Sequence, residues 1–283
     1  MNLKQALTYA RELLIENGID DVALEAEVLL RHTLGIDRAQ FFSNLDIELD
    51  IEKKKAFTEL IARRVKGEPS AYITGHREFY GLDFDVNHTV LIPRPETELL
   101  VEKAIKLANN YNINSIADVG TGCGTLAVTL ALHLPQVKVY AIDILPATLE
   151  VATANCKKHG VLDRVIILHG DMLSPVPESI DLIVANLPYV KDSELSDNVP
   201  LSYEPLAALQ GGIDGLDKIK QLFRESSKKL KPDGYVLAEI GREQRTPIAD
   251  FIITEFSEAH FEMHKDLSGI ERVIQFRLTK DSS

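Results

Sequence analysis

Four consecutive residues, Asn186, Leu187, Pro188 and Tyr189, carry groups that could act on a planar nitrogen. The lone pair of an amide or aromatic amine nitrogen is delocalised, so it attacks poorly. Two acceptors held against its two N–H bonds would draw it toward a pyramidal geometry and free the lone pair. Asn186 offers a side-chain amide oxygen as one acceptor, and the backbone carbonyl of Leu187 can be the other. Pro188 has a fixed φ and restricts the residue before it. Tyr189 offers a ring that can stack on a flat amide. No strong base is needed, because the nitrogen becomes acidic once alkylated and can lose its proton to solvent. Rate would then come from positioning and fixed dipoles. Asn and Pro are also turn residues, so an ordinary turn is the plain alternative.

A second cluster is the run Asp118, Val119, Gly120, Thr121, Gly122, Cys123, Gly124, Thr125. It follows a short apolar stretch and opens a helical pattern. The glycines allow a tight turn and close approach of backbone to a ligand, and the helix start offers free N–H groups. Asp143 stands 19 positions beyond Gly124 at the end of the next apolar stretch, where a carboxylate can accept from both hydroxyls of a ribose. The glycine spacing is GxGxG rather than the GxGxxG of dinucleotide sites. A glycine loop with a purely structural role is the other alternative. Asp171 and Met172 follow a third apolar stretch. Alone they could be a helix cap, but they stand in register after Asp143.

These groups need elements to hold them. From residue 97 onward helix and strand periods alternate. Helices are predicted at 99–108, 124–134, from 143 to about 158, and 214–230. Strands are predicted at 115–119, 137–142, 165–169, 181–185 and 235–240, and a helix and two strands near 259–265 and 271–278 close the chain. Repeated β-α-β units imply a doubly wound, mostly parallel seven-stranded sheet of the α/β class, with ligands at the carboxyl ends of its strands. Residues 77–86 alternate apolar and polar around Gly81, the pattern of a β-hairpin. Residues 1 to about 68 read as helices: Leu3, Ala6, Leu7, Ala10, Leu13 and Leu14 share one face, and Asp21 could cap the second helix. The expected divisions are a helical bundle at 1–75 that positions a partner, a hairpin linker at 76–96 and a catalytic domain at 97–283.

Bulk properties narrow the function. The formal net charge is −12, which disfavours a direct nucleic-acid partner and suits a basic protein partner. Lys53–Lys55 and Arg63, Arg64 and Lys66 form local basic runs on a predicted helix, read as a solvated face. No run approaches ~20 apolar residues, and the start lacks a basic-then-apolar signal pattern, so a cytoplasmic protein without membrane contact is expected. Cys123 and Cys156 form no CxxC pair and read as reduced thiols. His260 and His264 are spaced i,i+4 but not as HExxH, so no metal is expected. A monomer is expected.

The glycine loop resembles the S-adenosylmethionine loop of Rossmann-like methyltransferases, and residues 186–189 look like the AsnProProTyr motif of methyltransferases acting on planar nitrogens, with Leu187 in place of the commoner Pro. Residues 72–75, 78–81, 203–216 and 239–241, and above all ValLeuIleProArgProGluThrGlu at 90–98, resemble the peptide chain release factor glutamine methyltransferases. The 90–98 run could also be a stiff linker with Glu96 or Thr97 capping the next helix. The resemblance implies methyl transfer from S-adenosylmethionine to the side-chain nitrogen N(5) of the glutamine in the GlyGlyGln motif of class 1 release factors. It implies that Gly120, Thr121, Gly122, Cys123, Gly124, Asp143, Asp171, Met172 and Asn186 contact the cofactor, with Asp171 near the adenine amine and Met172 over its ring. Asp118 would assist at the cofactor's amino group. Asn186, Leu187, Pro188 and Tyr189 would bind the glutamine, Asn186 and Tyr189 as the catalytic pair. A DNA or RNA adenine-amine methyltransferase is the rival expectation.

Overall fold

The computed structural model describes residues 1–195, 203–256 and 258–278. The chain divides into two compact units, Met1–His76 and Arg77–Ser283.

The first unit is helical: α1 (Leu3–Glu16), α2 (Val22–Leu34), α3 (Arg38–Ser43), α4 (Ile51–Val65) and α5 (Ser70–Thr74). Leu3, Leu7, Ala10 and Leu14 of α1 join Leu29, Leu30, Phe41, Phe57 and Ile61 in one buried core. Side chains start three of the helices. Asn2 and Gln5, then Asp37 and Gln40, form reciprocal capping boxes, and Asp50 accepts from the Lys53 N–H at 2.7 Å. Each satisfies a donor that the helix start leaves free. Asp21 does not act this way. It takes a left-handed conformation, φ 49°, that turns its carboxylate away from the first turn of α2. The basic runs are mostly exposed, with two members tied down: Lys53 donates to the Thr33 carbonyl at 2.9 Å, and Arg64 pairs with Glu25 at 2.8 Å.

A hairpin of β1 (His76–Phe79) and β2 (Leu82–Asp85) leads into the second unit. Its turn residues Tyr80 and Gly81 both have positive φ, the conformation that matches strand twist in two-residue hairpins. Then follow α6 (Glu98–Asn110), β3 (Ser115–Val119), α7 (Thr125–His133), β4 (Lys138–Asp143), α8 (Pro146–Lys158), β5 (Val165–His169), β6 (Ile180–Ala185), α9 (Asp192–Leu195), α10 (Asp217–Lys229), β7 (Leu230–Glu239), α11 (Arg245–Glu255), β8 (Ala259–Lys265) and β9 (Glu271–Leu278). The seven-stranded sheet has the order β5-β4-β3-β6-β7-β9-β8. Strands β3 to β7 run parallel, and β9 is antiparallel to both its neighbours. The winding reverses between β3 and β6, which fixes where a ligand crevice opens.

Alternation along the strands builds two cores. Ile116, Val139, Leu182, Val184 and Leu237 face a cluster completed by α6 and α7, with Phe79 and Phe84 of the hairpin. Ala117, Tyr140, Ile183, Val236 and Ile274 face the other, completed by Ile219 and Phe223 of α10 and Ile248 of α11. Of the boundaries that differ from the periodicity, two have a clear local cause. Strand β7 begins five residues early, at Leu230, because the register shift between Ile180 and Leu182 lets 231–234 bulge within the ladder. Helix α10 begins late, at Asp217, because Asp214 accepts from the Leu216 N–H at 2.9 Å and closes a turn first. Among the described residues no helix is long and apolar enough to cross a membrane.

Candidate active site

The carboxyl ends of β3, β4, β5 and β6 open onto a cavity of about 670 Å³, the size range of a small-molecule site. Its walls include Gly120 to Cys123, Asp143, Asp171, Met172, Asn186, Leu187 and Pro188. The sheet thus gathers in one place most of the residues that the sequence singled out.

The glycine loop is held by backbone. The N–H groups of Gly120 and Thr121 both donate to the Ile142 carbonyl, at 2.9 and 2.8 Å, and the Gly122 N–H donates to Asp143 Oδ2 at 3.1 Å. Gly120, Gly122 and Gly124 have φ of 74°, 58° and 87°, a region costly for other residues. Above Gly122 a β-carbon would meet nothing within 4 Å, so the loop's outer face is open to a ligand. Asp118 lies beneath, wholly buried. Its Oδ2 accepts from Thr121 Oγ1 at 2.6 Å and from the Ala127 N–H at 3.0 Å. Its Oδ1 is buried with no hydrogen-bond partner among the described residues. Burial pushes this carboxyl up to about 7 and the Cys123 thiol up to about 12. Cys123 is therefore a protonated thiol at neutral pH and no nucleophile.

The loop after β6 is held differently. Asn186 Nδ2 donates to Thr97 Oγ1 at 2.9 Å, and that hydroxyl donates to Glu239 Oε2 at 2.6 Å. Tyr189 donates its hydroxyl to the other oxygen of Glu239 at 3.2 Å. Gln244 donates to the carbonyls of Tyr189 and Gly215, both at 3.0 Å. Val190 and Leu209, then Gly211 and Val190, exchange backbone hydrogen bonds. Gly211 and Gly215 make this contact possible: a β-carbon on Gly211 would sit 2.8 Å from the Tyr189 Cα, and one on Gly215 2.4 Å from the Tyr189 carbonyl. The two loops touch, because a β-carbon on Gly120 would come within 2.9 Å of Leu187 Cδ2.

Comparison with known proteins places this geometry. Residues 5–75 match the PrmC N-terminal domain and residues 95–202 match the methyltransferase small domain. The release factor glutamine methyltransferase of Koribacter versatilis (strain Ellin345) is 41% identical over 97% of this chain and 98% of its own length. This chain belongs to the release factor glutamine methyltransferase family. The enzymes of that name from Moorella thermoacetica and Geobacter sulfurreducens are 38% and 37% identical over 96% and 98% of this chain, and over 97% and 96% of their own lengths. Among solved structures, the hMettl16 catalytic domain in complex with the MAT2A 3'UTR hairpin 6 superposes with a TM-score of 0.59 at 14% identity, covering 79% of this chain and 83% of that one. A methyltransferase from Pyrococcus furiosus gives 0.50 at 17%, covering 70% and 89%. Both likenesses concern the fold.

Within this member of the family, three of the singled-out residues stand apart from the cavity wall. Gly124 starts α7 and packs against Ala152 of α8. Asp118 lies under the loop. Tyr189 borders a smaller recess of about 300 Å³ with Lys191, Arg242, Gln244 and Arg272. Asp143 accepts from the N–H groups of Gly122 and Leu145, and burial raises its pKa. Met172 adopts φ 46°, an unusual conformation for a residue with a side chain, and is buried against the second core. Thr97 and Glu239 were not legible as site residues. Thr97 read as a helix cap; it occupies that position at α6, yet its side chain caps nothing and turns to Asn186 and Glu239 instead. Glu239 had two signals, a carboxylate at the end of an otherwise apolar strand and its place in the 239–241 segment that carries the resemblance.

Proposed function

We propose that this chain transfers the methyl group of S-adenosylmethionine to the side-chain nitrogen N(5) of the glutamine in the GlyGlyGln motif of class 1 release factors. The observation that carries the reading is the meeting of two loops at one cavity: the open glycine loop, and Asn186 to Pro188 directly beside it. When bound, S-adenosylmethionine supplies an electrophilic methyl on a sulfonium. Gly120 to Gly124, Asp143, Asp171 and Met172 hold it: the loop passes its amino-acid end, the Asp143 carboxylate meets the ribose, and Asp171 and Met172 take the adenine. The open face of Gly122 and the Asp143 carboxylate on the cavity wall both suit such a ligand.

Asn186 Oδ1 and the Leu187 carbonyl each accept one N–H of the glutamine amide. Pro188 holds the Leu187 carbonyl in place, and Tyr189, bordering the neighbouring recess, anchors the end of the segment through Glu239. Held this way, the nitrogen would take the methyl carbon as the sulfonium gave it up, and the surplus proton would leave to solvent. Residues 1–75 serve as the recognition domain, 76–96 as the linker and 97–283 as the catalytic domain, with the enzyme acting as a cytoplasmic monomer without nucleic-acid or membrane contact. The net charge of −12 favours this substrate over DNA or RNA.

The test is intact-protein mass of a purified class 1 release factor after incubation with the enzyme and S-adenosylmethionine. One added methyl group, absent when the GlyGlyGln glutamine is changed, is the expected result. Methylation of a DNA or RNA substrate instead would overturn the acceptor assignment.

A further inference from the structure

We infer that Thr97 and Glu239 are positioning residues that fix which end of the Asn186 amide faces the acceptor nitrogen. The inference rests on the functional reading above. An asparagine side chain has nearly the same shape in both flips, but only one presents an oxygen. The other presents two N–H donors, which would repel the N–H bonds of a substrate amide.

Hydrogen-bond counting selects the flip. A threonine hydroxyl has one hydrogen. At Thr97 that hydrogen goes to Glu239 Oε2, 2.6 Å away. Thr97 Oγ1 can then only accept from Asn186, and Nδ2 is the donor at 2.9 Å. With the nitrogen anchored there, Oδ1 is left for the cavity that Asn186 lines. The other carboxylate oxygen accepts from the Tyr189 hydroxyl, so one carboxylate sets the polarity of both ends of the 186–189 segment. Thr97 is 3% exposed and Glu239 1% exposed, so water does not compete. The groups that act on Glu239 come from three places: Thr97 and Glu96 before α6, Tyr189 after β6 and Arg272 on β9. A threonine at a helix start would ordinarily cap it; this one gives up the cap for the relay.

The relay has a polarity that depends on Glu239 being ionised. A protonated Glu239 could donate to Thr97, freeing the threonine hydrogen to turn toward Asn186 and loosening the amide. Burial raises this carboxyl, which brings the change into the range where activity is measured.

The experiment compares wild type with Thr97→Val and Thr97→Ser, using the release factor as methyl acceptor. Thr97→Val is expected to lower kcat about 10–100-fold, as for a misplaced catalytic group, with KM for the factor and Kd for S-adenosylmethionine within about twofold. Thr97→Ser, which keeps the hydroxyl, is expected to recover kcat to within about threefold of wild type. Unchanged kcat in Thr97→Val, or Thr97→Ser no better than Thr97→Val, overturns the inference. A crystal structure of Thr97→Val gives a readout that needs no acceptor: Asn186 is expected to leave its wild-type position, and an unmoved Asn186 would overturn the inference. Wild type failing on the factor would refute the functional reading alone, and the crystal structure would still judge the relay.

Discussion

The two loops at the cavity are built on opposite plans. The glycine loop closes on its own neighbourhood: its bonds join Thr121 to Asp118, Ala127 to Asp118, Gly122 to Asp143 and Asn155 to Cys123, separations of 3, 9, 21 and 32 residues. The loop after β6 draws its partners from across the chain: Asn186 to Thr97 spans 89 residues, Thr97 to Glu239 spans 142, and Tyr189 reaches Gln244 across 55. A cradle for a ligand needs only backbone and room, which a short run of glycines supplies. Orienting one amide needs side-chain partners on several elements, which only the folded sheet brings together.

The contrast can be broken at its most sensitive point first. Asn186→Ala removes a positioned acceptor and is expected to lower turnover on the order of 10²–10³-fold. Cofactor affinity, set mainly by the other loop, should fall far less; initial rates and a binding titration check both, and near-unchanged turnover would refute the mechanism. Next come two glycines with similar φ, 74° at Gly215 and 58° at Gly122, but opposite surroundings. Gly215→Ala would drive a β-carbon to 2.4 Å from the Tyr189 carbonyl and 2.5 Å from Gln244 Nε2. It is expected to cost about 1 kcal/mol for backbone strain and a further ~1–3 kcal/mol for overpacking. Gly122→Ala meets only the strain, about 1 kcal/mol, but intrudes on the open face and should weaken cofactor binding. Denaturant titration and cofactor titration of both variants test the pair; equal stability losses would erase the distinction.

The last effect is a pH dependence. Burial holds a proton on Glu239 in the folded protein up to about 7, whereas the unfolded chain releases it near the ordinary value of 4.5. The folded state binds more protons in that window, so the stability contributed by Glu239 falls as pH rises through it. Glu239→Gln has no proton to lose. Relative to wild type it should gain, on the order of 1–3 kcal/mol between pH 5 and 8, with Asp118 titrating alike in both and cancelling. Parallel melting curves across that range would contradict the assignment.

Local patterns were what the sequence made readable. The strand at 115–119, the glycines behind it and Asp143 lie close together in the chain, and their period and turn chemistry pointed to the loop that the fold contains. The hairpin around Gly81 was equally local. Thr97 misled because its position at a helix start carries a strong local meaning, while its real partners are 89 and 142 residues away. Asp21 misled for the related reason that a cap requires backbone geometry as well as residue type. The early start of β7 was hidden because Pro232, Asp233 and Gly234 spell a turn, and only the pairing with β6 turns it into a bulge.

The 142-residue span of the Thr97–Glu239 bond also bears on the enzyme's birth. The glycine loop's hydrogen-bond partners are all made once Asn155 has been synthesised, but Asn186 cannot be oriented until β7 is laid down, about 80 residues later. At ~5–20 residues per second of synthesis that is a lag of roughly 4–16 s. During it, the growing chain holds the partners of the glycine loop and no working amide, so competence arrives only with the last third of the polypeptide.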